Sequence, residues 1–393
     1  MGFFVNQRFN LIYVHAAFQA FTTYGGEAFA FVYLLKAGIS VPIVLLSIGV
    51  LFGSRILFRM AVLPLTKRVG LRNALVIGIV MEGCTYPILS QINDTGPLLV
   101  SYLAFWAISS SIYWTTHHAY VVLIGDGQHR GAQVSAMEFI GTFIGIVAPL
   151  TTGLLLTWFA PIVAFSVVGI AMIGSALPLL FLPNLKVALH AEIPQATQRL
   201  ARMVMFTDGL RSGAFHFTWL IALFITLGAS FAAYGGALSL SGLAGASMGL
   251  FVGKSIDLGK GRRAAQIGFA VLSLAIVARA FGYSTVWSAV AANAIAAIAW
   301  PVYATAFNSR VYALAQHSPC ALRFHIIAEG GWDLGVASAC FISAALIYLG
   351  FGFFWPLILA LTGCALGYRL VAGTFDRALE ADSSGLPETS KMV

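Results

Sequence analysis

Ionisable side chains embedded in apolar stretches carry the chemistry of this sequence. Glu27 follows Tyr24-Gly25-Gly26; Arg55 and Arg59 stand four apart and share a helix face; Glu82 sits in the middle of an apolar run. His117 and His118 adjoin, Glu138 follows, Asp208 and Arg211 are three apart, and Glu329 and Asp333 share a face. In a hydrocarbon setting each charge costs roughly 2.5–3.5 kcal/mol on insertion scales, so each needs a partner, a proton or water. No basic residue is obvious at the depth of Glu27 in the neighbouring runs, and Arg279, also in an outer half, lies far along the chain. Such a carboxylate in a low dielectric can carry a proton at physiological pH. It is therefore a candidate for coupling or substrate contact. Glu82 reads as a packing or gate residue.

Metal and nucleophilic chemistry find little support. Adjacent histidines on a helix point about 100° apart, so only one can face a common centre, and His118 is the candidate. Helix ligands for a metal want i, i+3 or i, i+4 spacing, so no metal site is expected. Cys84, Cys320, Cys340 and Cys364 show no CxxC spacing and read as small buried hydrophobes. Gly249-Leu-Phe-Val-Gly253-Lys254-Ser255 is one residue short of a phosphate loop and sits at the end of an apolar run. No cofactor is expected. Trp114, Tyr113, Trp300, Tyr303, Asn293 and Asn308 could wall a pocket, although packing explains most of them.

The elements that hold these groups must be membrane helices. Hydrophobic residues make up 59% of the 393 and charged residues 9%, with mean hydropathy +0.89. A soluble domain carries about 25% charged residues. A span needs about 20 mostly apolar residues, which gives twelve here: 10–35, 41–64, 72–91, 97–124, 133–159, 162–184, 204–228, 232–256, 264–283, 286–312, 323–349 and 352–372. The first is expected to be a permanent span, not a cleaved leader. The seventh and eighth divide least sharply, because Ala229 to Gly249 is diluted by Gly, Ala and Ser.

Net charge is +8, and its placement is topological rather than a sign of nucleic-acid binding. Lys67, Arg68 and Arg72, then Lys186, Arg199 and Arg202, then Lys260, Arg262 and Arg263, and finally Arg377 and Lys391 all fall on alternate connections. The opposite connections hold almost none. Both termini are therefore expected in the cytoplasm, in a bacterial inner membrane. The polar stretch 185–203 is expected to be a linker, either a plain tether or a short amphipathic surface helix, between bundles 1–184 and 204–372. The tail 373–393 is expected to be disordered.

Two landmarks repeat. Lys67 and Asp257 are 190 apart, and Glu138 and Glu329 are 191 apart. That is the mark of duplicated halves.

Gly253-Lys-Ser-Ile-Asp257-Leu-Gly-Lys-Gly261-Arg262-Arg263 resembles the cytoplasmic loop motif of the major facilitator superfamily, with one extra residue before Gly261. The first-half copy has Lys67 in the acidic position. Gly141, Gly145, Pro149 and Gly153 resemble the fifth-helix pattern of that superfamily's exporters and antiporters, and also fit ordinary small-residue packing.

The resemblance implies an all-α integral membrane fold, with twelve transmembrane helices in two pseudo-symmetric six-helix bundles. It implies a secondary transporter that moves a small solute or amphipathic molecule by alternating access, with proton-coupled export as one form. It also puts all the listed groups except Glu82 on cavity-lining helices. Arg55, Arg59, Glu138, Asp208, Arg211 and Glu329 then lie in the cytoplasmic half, as a salt-bridge layer closing a gate or as direct contacts to substrate or proton. The expected partners are the lipid bilayer, a small-molecule substrate and protons. A polytopic enzyme acting on lipid-linked substrates, or a non-transporting receptor with a transporter fold, are the alternatives, and the short outer connections count against the first.

Overall fold

Apolar runs broken by Gly, Pro and polar clusters fold into consecutive helices. The computed structural model describes residues 7–125, 130–186, 193–255, 261–316 and 318–383. The first stretch is α1 (Gln7–Thr22), a π-helical turn (Thr23–Glu27) and α2 (Ala28–Lys36). Then come α3 (Val41–Phe58), a 3₁₀ turn (Arg59–Ala61) and α4 (Val62–Val69), followed by α5 (Leu71–Leu89) and α6 (Pro97–Ile124). α7 (Arg130–Trp158), α8 (Pro161–Gly174) and α9 (Leu177–Leu180) complete the first part. The second part opens with α10 (Gln195–Ser212), a second π-turn (Gly213–Thr218) and α11 (Trp219–Thr226). It continues with α12 (Phe231–Ser255), α13 (Gly261–Gly282), α14 (Val286–Gln316) and α15 (Ala321–Tyr348), and ends with α16 (Phe354–Ile358) and α17 (Ala360–Ser383). Among the described residues there is no strand.

Eight helical stretches among these residues are long and apolar enough to cross a membrane, from Val41–Val69 to Phe354–Gly373. With the composition, they make the chain a multi-pass integral membrane protein. Four further stretches fall short for local reasons. α1 with α2 is diluted by Asn10, His15, Gln19 and Glu27, and α10 with α11 by Asp208, Arg211 and His216. α5 carries Arg72, Asn73 and Glu82, and Gly and Ser dilute α12.

Two readings of the connections change. Residues 195–203 form no separate surface helix, because α10 runs unbroken from Gln195 to Ser212 and buries Ala201 and Val204. Helix formers such as Gln198, Leu200 and Ala201 favour continuation over a break. The tail is likewise helical as far as Ser383, where Arg377, Ala378, Leu379 and Glu380 extend α17. Residues 384–393 lie outside the described residues.

Packing pairs helices that are distant in sequence. α3 lies along α15 and α7 along α12. Where α7 meets α12 the backbones nearly touch: a Cβ on Gly242 would lie 2.8 Å from the Gly145 carbonyl oxygen, and one on Gly235 would collide with that of Pro149. Gly153 faces Phe231 and Gly235 on the same seam, whereas Gly141 meets nothing. Small residues let the helices approach this closely. Three of the four fifth-helix motif residues thus sit at one seam.

Candidate functional site

Alternate ends of the helices define two faces of the molecule. The ends near Gln7, Val69, Leu71 and Ala321 carry the basic connections, and the ends near Lys36, Val41, Leu89 and Tyr348 carry short loops. The ionisable groups lie between them.

Toward the basic face, Arg59 is nearly fully buried at the 3₁₀ turn that follows α3. Its Nε donates to Asp333 Oδ2, its Nη1 to Thr115 Oγ1, and its Nη2 to Glu329 Oε2 at 3.2 Å. Arg55 approaches the other Asp333 oxygen at 3.3 Å. Glu329 also meets His118 Nε2 at 3.5 Å, and the His118 ring stacks on His325 at 5.4 Å. Two guanidiniums and two carboxylates thus neutralise one another across the α3–α15 contact. Buried ion pairs survive only with such multiple partners, since several kcal/mol of desolvation per ion must be offset.

A second cluster stands apart from the first. Arg211 donates to Asp208 Oδ1 at 2.7 Å and to Ser212 Oγ at 2.7 Å. Asp208 accepts from Tyr303 Oη at 2.6 Å and from Trp332 Nε1 at 2.9 Å. The guanidinium lies over the Tyr303 ring at 5.0 Å. The charges grouped by depth in the sequence therefore divide into two closed networks, joined by Trp332, whose ring meets Phe52 at 5.3 Å.

Midway along the helices lies a small cavity. Glu27, Phe31, Leu51, Phe52, Arg55, Glu82, Trp106, Ser110, Trp114 and Phe217 line it. Glu27 enters from the π-turn, which re-aims side chains by adding a residue to the helical turn. Thr23 donates to its Oε1 at 3.4 Å, and Gln19 donates to Thr23 at 2.7 Å. Glu82 accepts from Trp106 Nε1 at 2.9 Å through Oε1, while its Oε2 is buried without a hydrogen-bond partner.

This arrangement corrects two expectations. Glu27 does have a basic neighbour, because Arg55 lines the same cavity. Counted from the short-loop ends, Arg55 is only five residues deeper than Glu27, roughly 7 Å of helix rise, a gap that the long arginine side chain bridges. Glu82 lies at the cavity itself and not on an outlying face.

His15 escaped the sequence reading, and Arg279 was named there without its partners. His15 is buried against Ser175 O at 2.9 Å and His117 Nδ1 at 3.3 Å, so His117 faces His15 while its neighbour faces Glu329. Arg279 is buried too: it donates to Phe215 O at 2.7 Å and Asn293 Oδ1 at 2.8 Å, and lies 4.1 Å from the Phe215 ring centroid. Burial of a single His or Arg inside a bundle has no spacing signature.

Of the remaining candidates, Gly253 lies near the end of α12, Gly261 opens α13, and Arg262 and Arg263 follow it exposed. Asp257 and the side chain of Glu138 lie outside the described residues. Among the described residues no group of three or more His, Cys, Asp or Glu could hold a metal ion.

The architecture matches solved transporters. The chain superposes on a POT family transporter in complex with 5-aminolevulinic acid at a TM-score of 0.69 and 13% identity, covering 92% of this chain and 95% of that one. A POT family transporter bound to a thioalcohol-conjugated peptide gives 0.70 and 14%, over 95% and 98%. The human organic anion transporter MFSD10 (TETRAN) gives 0.66 and 13%, over 93% and 99%. The chain has the major facilitator transporter fold. No subfamily follows from it: no family model and no curated protein matches the sequence. The α3–α15 and α7–α12 seams join the stretch before residue 185 to the stretch after 203, and the cavity takes nine of its ten lining residues from the first stretch and Phe217 from the second.

Proposed function

We propose that the chain is a proton-coupled secondary transporter that moves a small solute by alternating access. The observation that carries this reading is a mid-depth cavity with ionisable walls, Glu27, Arg55 and Glu82, placed between two separate closures. Toward the basic face, Arg59 ties the first half to Asp333 and Glu329 of the second. Toward the short-loop face, Tyr234 donates to Ala28 O at 2.9 Å and Lys36 to Ala229 O at 3.1 Å, over a core of Phe29, Phe224 and Phe231. Opening one closure while keeping the other is what alternating access requires.

In this reading the helices make twelve crossings in two bundles, 1–184 and 204–372, with 185–203 between them. The basic face lies in the cytoplasm, as the distribution of Lys and Arg favours. Protons are the favoured coupling ion. The four acids Glu27, Glu82, Glu329 and Asp333 face only two guanidiniums, Arg55 and Arg59, and buried charge of one sign is costly unless protonated.

The test is a stability screen of small charged solutes on the purified protein, followed by flux of each stabilising solute into liposomes. Flux that rises with an imposed pH gradient is the expected result. Solutes that bind and do not cross would overturn the reading.

A further inference from the structure

The cavity walls are specific enough to define a ligand charge, given the transporter reading above. Of its three ionisable groups, Arg55 is already compensated: it pairs with Asp333 at 3.3 Å and rests over the Phe52 ring at 4.9 Å. The two carboxylates share Arg55 with Asp333 and have no cation to themselves. Glu82 lines the cavity, is only 1% exposed, and its Oε2 has no hydrogen-bond donor in reach. A buried carboxylate oxygen without a donor is a strong acceptor awaiting one. Glu27 supplies a second carboxyl to the same space from the π-turn.

The rest of the wall is aromatic. Phe31 stacks on Trp106 at 5.3 Å, and Phe52 packs against Phe217 at 5.1 Å. Aromatic faces attract cations, more strongly when water is excluded. Arg55 over Phe52 shows this wall already receiving one. A carboxylate ligand would meet the opposite: two acids and ring faces that repel it.

We propose that this cavity binds a small organic cation, an aliphatic or arylalkyl amine, with its ammonium group between Glu27 and Glu82 and its apolar body against Phe31, Phe52, Trp106 and Phe217. The ammonium donates to the free Glu82 oxygen and to Glu27, and the ring faces complete a cage around it. Binding then adds donors where Glu82 lacks one.

The experiment compares probes of one shape and different charge on the purified full-length protein. Phenethylamine, 3-phenylpropionate and phenylalanine are titrated by calorimetry and by thermal stabilisation. Phenethylamine is expected to bind and stabilise, and 3-phenylpropionate to do neither. Glu82→Gln and Glu27→Gln are each expected to weaken phenethylamine at least tenfold. A Phe31→Leu variant, which keeps both carboxylates, is expected to weaken it several-fold. Preference for 3-phenylpropionate, or binding of phenylalanine without phenethylamine, would overturn the proposal, and the wild-type comparison decides this even if a variant fails to fold. The two readings fail separately: phenethylamine bound without flux removes transport and leaves the site, whereas gradient-driven flux of another solute with no amine binding removes the site and leaves transport.

Discussion

Arg59 and Asp333 form a buried ion pair across 274 residues of sequence, joining the 3₁₀ turn after α3 to the middle of α15. Both side chains are almost inaccessible, and Thr115 and Glu329 each engage one of the two terminal guanidinium nitrogens. Removing one partner of such a pair leaves an uncompensated charge, which typically costs about 3–5 kcal/mol.

Asp333→Asn is therefore expected to lower the melting temperature of the purified protein strongly. Arg59→Gln combined with Asp333→Asn should cost less than the sum of the two single changes, since Arg59 and Asp333 no longer strand each other. A double-mutant cycle with a coupling of more than about 1 kcal/mol is expected for residues in direct contact. Additive losses would mean that the contact adds nothing to closure of the basic face.

The seam between α7 and α12 gives a steric prediction. Gly235→Val would drive side-chain atoms into the Pro149 carbonyl, which is backbone and cannot rotate aside. The variant is expected to express poorly or to melt well below wild type. Gly141→Val, one of the same motif but facing open space, should melt within a degree or two of it. Equal effects would show that proximity on this seam is not what the motif provides.

Arg279 makes no ion pair among the described residues, yet it caps a carbonyl in the π-turn Gly213–Thr218. Arg279→Met leaves Phe215 O without that donor, and a stranded buried polar group costs about 1–3 kcal/mol. The same change also removes a buried cation, which offsets part of the loss. Arg279→Lys keeps a donor but loses the fork that spans Phe215 O and Asn293. Melting curves should therefore rank wild type above both variants. Hydrogen exchange should rise at Phe215 to Trp219 before it rises elsewhere.

The apolar spans were legible because hydropathy over about 20 residues is a direct physical requirement of the bilayer. Pairings across the molecule were not. Arg55 with Arg59, and Glu329 with Asp333, read as helix faces from their spacing, but nothing in the spacing says that these faces meet. Glu82 was misplaced because depth and face on α5 depend on how α6 packs, through Trp106. The π-turns escaped entirely, since a wider helical turn carries no hydropathy signal. Their first residues, Thr23 and Gly213, are nevertheless 190 positions apart, the same offset that separates Lys67 from Asp257. The offset between the sequence landmarks thus also separates these two backbone irregularities, in helices that both border the cavity.

Glu27 gives the sharpest functional prediction. It stands on the first of these π-turns, where Gly26 lets Tyr86 approach so closely that a Cβ there would lie 2.6 Å from the Tyr86 ring. Its charge is screened by Arg55 in the same cavity, but that guanidinium is shared with Asp333 and with Glu82 across the space. If Glu27 exchanges a proton during the cycle, Glu27→Gln fixes the site in the neutral form. Transport driven by a pH gradient should then fall to background in liposomes, while exchange between two pools of the same solute continues, because exchange needs no net proton movement. If Glu27 serves packing alone, the near-isosteric amide should change melting and leave gradient dependence intact. Equal gradient stimulation of Glu27→Gln and wild type would remove the coupling role. Loss of both exchange and accumulation would instead assign Glu27 to solute binding, in line with the amine site it shares with Glu82.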